Sequence, residues 1–153
     1  MNNLIQNRLL DILVIEDNVD DVFLIKLAIK KANINSKISV VNNGEEGIGH
    51  LNKLINEKEK LPDLVLLDIN LPKITGLEVL QKIKSSEFIK SIPIVVFTSS
   101  DSPSDMNYSY KNGADLYLKK PNHIRDFKEI MKCICEYCFM LENPDLRDSL
   151  KTA

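Results

Sequence analysis

Five short apolar runs recur along the chain, each followed by a stretch long enough for one helix. "DILVI" (11–15), "KISVV" (37–41), "DLVLLD" (63–68), "IPIVVFT" (92–98) and "DLYL" (115–118) read as buried strands. The stretches between them carry helical periodicity or helix signals. "DDVFLIKLAIKKA" (20–32) places Val22, Ile25, Ala28, Ile29 and Ala32 on one helical face. "NNG" (42–44) turns the second strand into a helix reaching about Lys58. Gly47 weakens that helix by about 1 kcal/mol relative to Ala. A third helix spans about Thr75 to Ser85. Ser102 can cap a fourth with Pro103 at its first position and Gly113 at its end. The last runs from about His123 to Leu141. Strands that are each followed by a helix imply an α/β fold, a doubly wound five-stranded parallel sheet covered on both faces. The order 2-1-3-4-5 puts the topological switch point between strands one and three, and ligands bind there, outside the carboxyl ends of the strands.

That order decides where the acids go. "IEDN" sets Glu16 and Asp17 at the carboxyl end of strand one, and Asp68 ends strand three. The three carboxylates then meet in one crevice. Two like charges ~4 Å apart repel by about 4 kcal/mol at an effective dielectric of 20. Such a cluster needs a proton or a cation, and oxygen-only ligands with open positions suit Mg²⁺. Thr98 closes strand four with a hydroxyl, and Lys120 follows strand five just before Pro121. A phosphoryl group in the crevice would meet a hydroxyl and an ammonium on the side away from the metal. Asp20 and Asp21 read differently, as solvated acids in the first turn of a helix.

The motifs "ILVIEDN", "LLDINLPKITG", "IVVFTSS" and "GADLYLKKP" together resemble the response-regulator receiver domain of two-component signalling, from about Asp11 to Leu141. The resemblance implies a flavodoxin-like (βα)5 fold, with residues 1–10 an N-terminal tail and 142–153 a polar C-terminal tail. It makes Asp68 the phosphoacceptor, taking its phosphoryl group from a histidine kinase or a phosphotransfer protein. Asp17, Asp68 and the backbone carbonyl of Asn70 would bind Mg²⁺, with Glu16 acting through water. Thr98 would be the switch hydroxyl, Lys120 the phosphate-binding lysine and Tyr117 the aromatic switch position. The Lys120–Pro121 bond is expected to be cis. The protein would be a signalling switch and not an enzyme beyond its own phosphorylation and dephosphorylation. The "LDINLPK" wording further resembles single-domain regulators paired with bacterial phytochromes. Leu71 and Ser99 depart from common residues at their positions without removing a chemical group.

Other classes fit less well. A flavin-binding domain of this topology wants a Ser/Thr/Gly-rich loop after strand one, and "EDNVDD" would repel its phosphate. A degenerate receiver that only docks partners would lack one of the key residues, and all are present. A formal net charge of −2 argues against a nucleic-acid partner held by bulk charge. Three cysteines imply no disulfide framework. Cys135 and Cys138 lie about 60° apart on the last helix while Cys133 points elsewhere, so they cannot converge on one ion. His50 and His123 read as surface residues. No run approaches the ~20 apolar residues of a membrane span, and the N-terminus is a poor signal peptide, so a cytoplasmic setting is expected. Few residues follow Leu141, so output is expected through protein contacts. On the last helix Phe127, Ile130, Met131, Ile134, Cys138 and Leu141 should pack on the sheet. Cys133, Tyr137 and Met140 form a second apolar face, with Phe139 on the opposite flank. Either the tail covers that second face through Leu146 or Leu150, or a second copy does so in a homodimer.

Overall fold

The structure, a computed structural model, describes residues 7–142. Strands β1 (Leu10–Ile15), β2 (Ser36–Val41), β3 (Leu64–Leu67), β4 (Ile94–Thr98) and β5 (Leu116–Lys119) alternate with helices α1 (Val19–Lys31), α2 (Gly44–Asn56), α3 (Gly76–Lys84), α4 (Pro103–Lys111) and α5 (Ile124–Leu141). The strands form one parallel sheet in the order β2-β1-β3-β4-β5, as the alternation predicts. The first strand begins one residue earlier than expected and the fourth two residues later. Pro93 has no N–H to give the ladder, so pairing with β3 starts at Ile94.

The central strands are apolar on both faces because both faces are covered. Ile12, Val14, Leu64, Leu66, Val95 and Phe97 belong to one core, beneath α1 and α5. Leu13, Ile15, Val65, Leu67, Ile94 and Val96 belong to the other, beneath α2 and α3. Phe97 and Phe127 meet edge to face with ring centroids 5.7 Å apart.

Local signals set the helix starts. Asn18 caps α1, accepting hydrogen bonds from the Asp20 and Asp21 N–H groups. Thr75 and Glu78 close a capping box at the start of α3. Ser102 caps α4, and Gly113 follows its end at φ 96°. Packing gives Gly47 a use. A Cβ there would lie 2.6 Å from Ile15 Cδ1, so the cost in helix propensity lets α2 seat closely on β1.

On α5 the structure buries Phe127, Met131, Ile134, Cys135 and Cys138. Ile130 and Leu141 are half-buried, Cys133 is exposed, and Tyr137, Phe139 and Met140 are half-buried. Burial pushes the Cys135 and Cys138 thiols up to about 12 and about 11, which makes them inert packing groups. His50 is half-buried and His123 exposed. The expected tail contacts of Leu146 and Leu150 lie outside the described residues. Among the described residues no helix is long and apolar enough to cross a membrane.

Candidate functional site

The carboxyl ends of β1, β3, β4 and β5 converge on one pocket. Glu16 and Asp17 leave β1, Asp68 leaves β3, Thr98 is the last residue of β4 and Lys120 follows β5. Ligand oxygens of Glu16, Asp17 and Asp68 all lie within 4.8 Å of one another. Glu16 and Asp68 are buried and Asp17 is exposed, so the cluster opens to solvent on one side. The donors are hard oxygens in excess of their cation, a set that fits a divalent ion such as Mg²⁺ or Mn²⁺.

Lys120 supplies the opposing charge. Its ammonium contacts Glu16 Oε1 and donates to Asp68 Oδ2 at 3.1 Å and to Asp21 Oδ2 at 2.8 Å. Burial alone would lower the Lys120 pKa, but Asp21, Glu16 and Asp68 outweigh it and raise it above the ordinary range. Burial pushes the Glu16 carboxyl up to about 7, with the neighbouring Asp68 charge adding to this and Lys120 opposing it. Burial would raise Asp68 too. There the Asn70 N–H and the Lys120 ammonium prevail and hold the carboxyl below its usual value. The balance favours the ionised form of the Asp68 carboxylate.

Backbone donors fix the two buried acids. The Asn70 N–H donates to Asp68 Oδ1 at 3.1 Å, and the Asn18 N–H donates to Glu16 Oε2 at 3.3 Å. Thr98 is fully buried, and its hydroxyl oxygen accepts from the Ser100 N–H at 3.3 Å and the Asn70 side-chain amide at 3.5 Å. Tyr117 is buried, its hydroxyl donating to the Ser100 carbonyl at 2.9 Å. Its own N–H donates to the Tyr110 hydroxyl at 3.0 Å.

Two sequence expectations need correction. The Lys120–Pro121 bond is trans, since no cis peptide occurs among the described residues. A bond before proline keeps a trans preference of about 0.5–1 kcal/mol. The trans loop is anchored where the Lys120 N–H donates to the Thr98 carbonyl at 2.7 Å. Asp21 is not a bland helix-start acid, for it holds the pocket lysine. It occupies the third position of α1, and helical side chains lean back toward the N-terminus. The same tilt applies to Asp20 beside it, so only the docking of α1 singles out Asp21.

The chain matches the response regulator receiver domain over residues 12–132, and it belongs to that family. It is thus a phosphorylated signalling switch rather than a true enzyme. Such a domain binds a divalent metal at its acidic site and implies a cognate histidine kinase. The chain is 37% identical over 126 residues to the probable methanogenesis regulatory protein FilR2 of Methanothrix harundinacea, covering 82% of this chain and 81% of that protein. It is 33% identical to the response regulator Rcp1 of Synechocystis sp. over 80% of this chain and 84% of that one. The Mn²⁺-bound structure of Rcp1 superposes with a TM-score of 0.72 at 32% identity, over 81% of this chain and 90% of that one. The phosphorylated cyanobacterial phytochrome response regulator RcpA superposes with a TM-score of 0.79 at 33% identity, over 86% of this chain and 95% of that one.

Proposed function

We propose that Asp68 is the phosphoacceptor of a Mg²⁺-dependent receiver, taking its phosphoryl group from a histidine kinase or a phosphotransfer protein and signalling through protein contacts. One observation carries the reading: the Lys120 ammonium stands 3.1 Å from the Asp68 carboxylate, in a pocket shared with two further acids. An Asp68 oxygen attacks the phosphorus, the P–N bond of the donor phosphohistidine breaks, and the imidazole nitrogen keeps the electron pair. Attack of water on the acyl phosphate later returns the carboxylate and releases phosphate. Glu16, Asp17, Asp68 and the Asn70 carbonyl would hold the metal, Glu16 through water; when bound it supplies charge neutralisation for the phosphoryl oxygens. Lys120 meets the oxygen on the other side. Asp68 itself is fixed by the Asn70 N–H, and rigid placement is most of what phosphoryl transfer asks of a protein. A phytochrome-like kinase is the input we favour, because Rcp1 and RcpA are similar to this chain and RcpA is described as a phytochrome response regulator.

Incubation with Mg²⁺ and a small phosphodonor, followed by intact mass, tests the reading. Wild type should gain one phosphate. Asp17→Ala should lose metal affinity and phosphate uptake together, each by about tenfold or more, the equivalent of a single 1.4 kcal/mol contribution. Rapid uptake with a chelator present would refute the metal requirement.

Thr98 and Tyr117 form the proposed switch. Ser100 links them, its N–H donating to Thr98 and its carbonyl accepting from Tyr117. A phosphoryl group that draws on the Thr98 hydroxyl would pull this link and repack β4, α4 and β5. The output surface we favour is α5 around Cys133, Tyr137 and Met140, pairing with a second copy of the chain. Exposed Met106 and Tyr110 on α4 extend the apolar area, and Tyr137 lies within electrostatic reach of Tyr110. Sedimentation should show a dimer that Tyr137→Glu with Met140→Glu dissolves. A wild type that stays monomeric at high concentration, with and without a phosphoryl mimic, would rule the homodimer out.

A further inference from the structure

Lys120 is shared among three carboxylates, and only two of them belong to the strand ends. Glu16 and Asp68 are also the oxygens that a divalent cation would claim. The third, Asp21, sits on α1 and is part of no candidate metal cluster among the described residues. Its side chain is mostly buried, at 22% exposure, and the Asp21–Lys120 contact joins residues 99 apart in sequence. It is the shorter of the two Lys120 contacts measured to aspartates, at 2.8 Å against 3.1 Å to Asp68.

We propose that Asp21 is a positioning residue: it berths the Lys120 ammonium so that Glu16 and Asp68 can turn to a cation without expelling the lysine from the pocket. An ammonium with only Glu16 and Asp68 as partners competes directly with the metal, since each gains what the other loses. A third carboxylate outside the cluster compensates Lys120 while the metal takes the shared oxygens. It also holds Lys120 on the side of Asp68 where a phosphoryl oxygen would arrive. This last consequence rests on Asp68 being the phosphoacceptor; the competition with the cation does not.

Asp20 provides the control. It precedes Asp21 on the same helix and is exposed, while the Lys120 ion pairs run to Glu16, Asp21 and Asp68. Asp20→Asn and Asp21→Asn remove the same charge from the same turn, so a difference between them, together with the Asp21→Glu rescue and the Lys120 resonance, reports the lysine contact. Mn²⁺ and Mg²⁺ affinities of the full chain should be measured by calorimetry, and phosphate uptake by intact mass. Asp21→Asn should weaken metal binding on the order of five- to tenfold, the scale of one charge-assisted hydrogen bond. Asp20→Asn should change it less than about twofold, as expected for an exposed charge. Asp21→Glu, which keeps the carboxylate, should recover most of the affinity. The Lys120 ammonium resonance should shift in Asp21→Asn and stay in place in Asp20→Asn. Equal metal affinities for the two asparagine variants would overturn the proposal. The metal measurement decides the role of Asp21 even if wild type takes no phosphate on Asp68, an outcome that would refute the phosphoacceptor reading instead.

Discussion

Asp68→Asn should abolish the phosphate mass increment that wild type acquires, a fall in uptake of more than about a hundredfold, or roughly 2.7 kcal/mol of barrier. The carboxamide has nearly the shape of the carboxylate but offers no anionic oxygen to attack phosphorus. Its effect on folding should be small, for Lys120 keeps Glu16 and Asp21 as partners when Asp68 is neutralised. The substitution also relieves repulsion within the acidic cluster. The lost attraction between Lys120 and the Asp68 anion offsets that relief, so the variant should melt close to the wild-type temperature while taking no phosphate, which separates loss of chemistry from loss of fold. An undiminished increment in Asp68→Asn would sink the assignment and send the search to another side chain.

Gly76→Ala should destabilise the chain by about 2 kcal/mol, although alanine is the better helix former by about 1 kcal/mol. Gly76 opens α3 directly behind the loop that follows Asp68, and its N–H donates to the Ile69 carbonyl at 3.0 Å. A Cβ there would overlap the Asp68 carbonyl oxygen and the Ile69 Cα, backbone atoms that cannot rotate away. Either α3 backs off, opening the core around Val79 and Leu80, or residues 68–69 shift and misplace the Asp68 carboxylate. Both routes harm the site, so phosphate uptake should fall along with stability. For a chain of this size the melting temperature should drop by roughly 4–8 °C. Gly49 has nothing within 4 Å of its would-be Cβ, so Gly49→Ala should raise stability by about 1 kcal/mol, the propensity gain alone. A Gly76→Ala variant that melts with wild type would show that the loop yields more easily than its packing suggests.

Much of this protein could be read from one-dimensional pattern. Apolar runs such as "LVLL", bounded by polar residues and followed by helical periodicity, can only be central parallel strands, since both of their faces are oily. Once the sheet is parallel, every strand end that carries an acid, hydroxyl or amine points to the same edge. That ground alone brings Glu16, Asp17, Asp68, Thr98 and Lys120 to one edge, and the three carboxylates do gather there with Lys120 against Asp68. Helix starts were equally local, because a cap is an interaction across two or three residues.

What the sequence could not decide depends on how separate elements approach one another. Gly47 is a weak point of α2 by propensity and a fit against Ile15 by packing, because propensity counts a missing side chain as loss and packing counts it as room. The Lys120–Pro121 isomer differs by so little free energy that the surrounding loop, not the dipeptide, selects it. Asp21 is the clearest case. Its partner lies 99 residues away, and nothing in "NVDDVF" distinguishes it from Asp20 beside it. Successive helical residues point about 100° apart, so one acid faces water and its neighbour faces the pocket. The choice between them is made only when α1 docks against the sheet beside the end of β5.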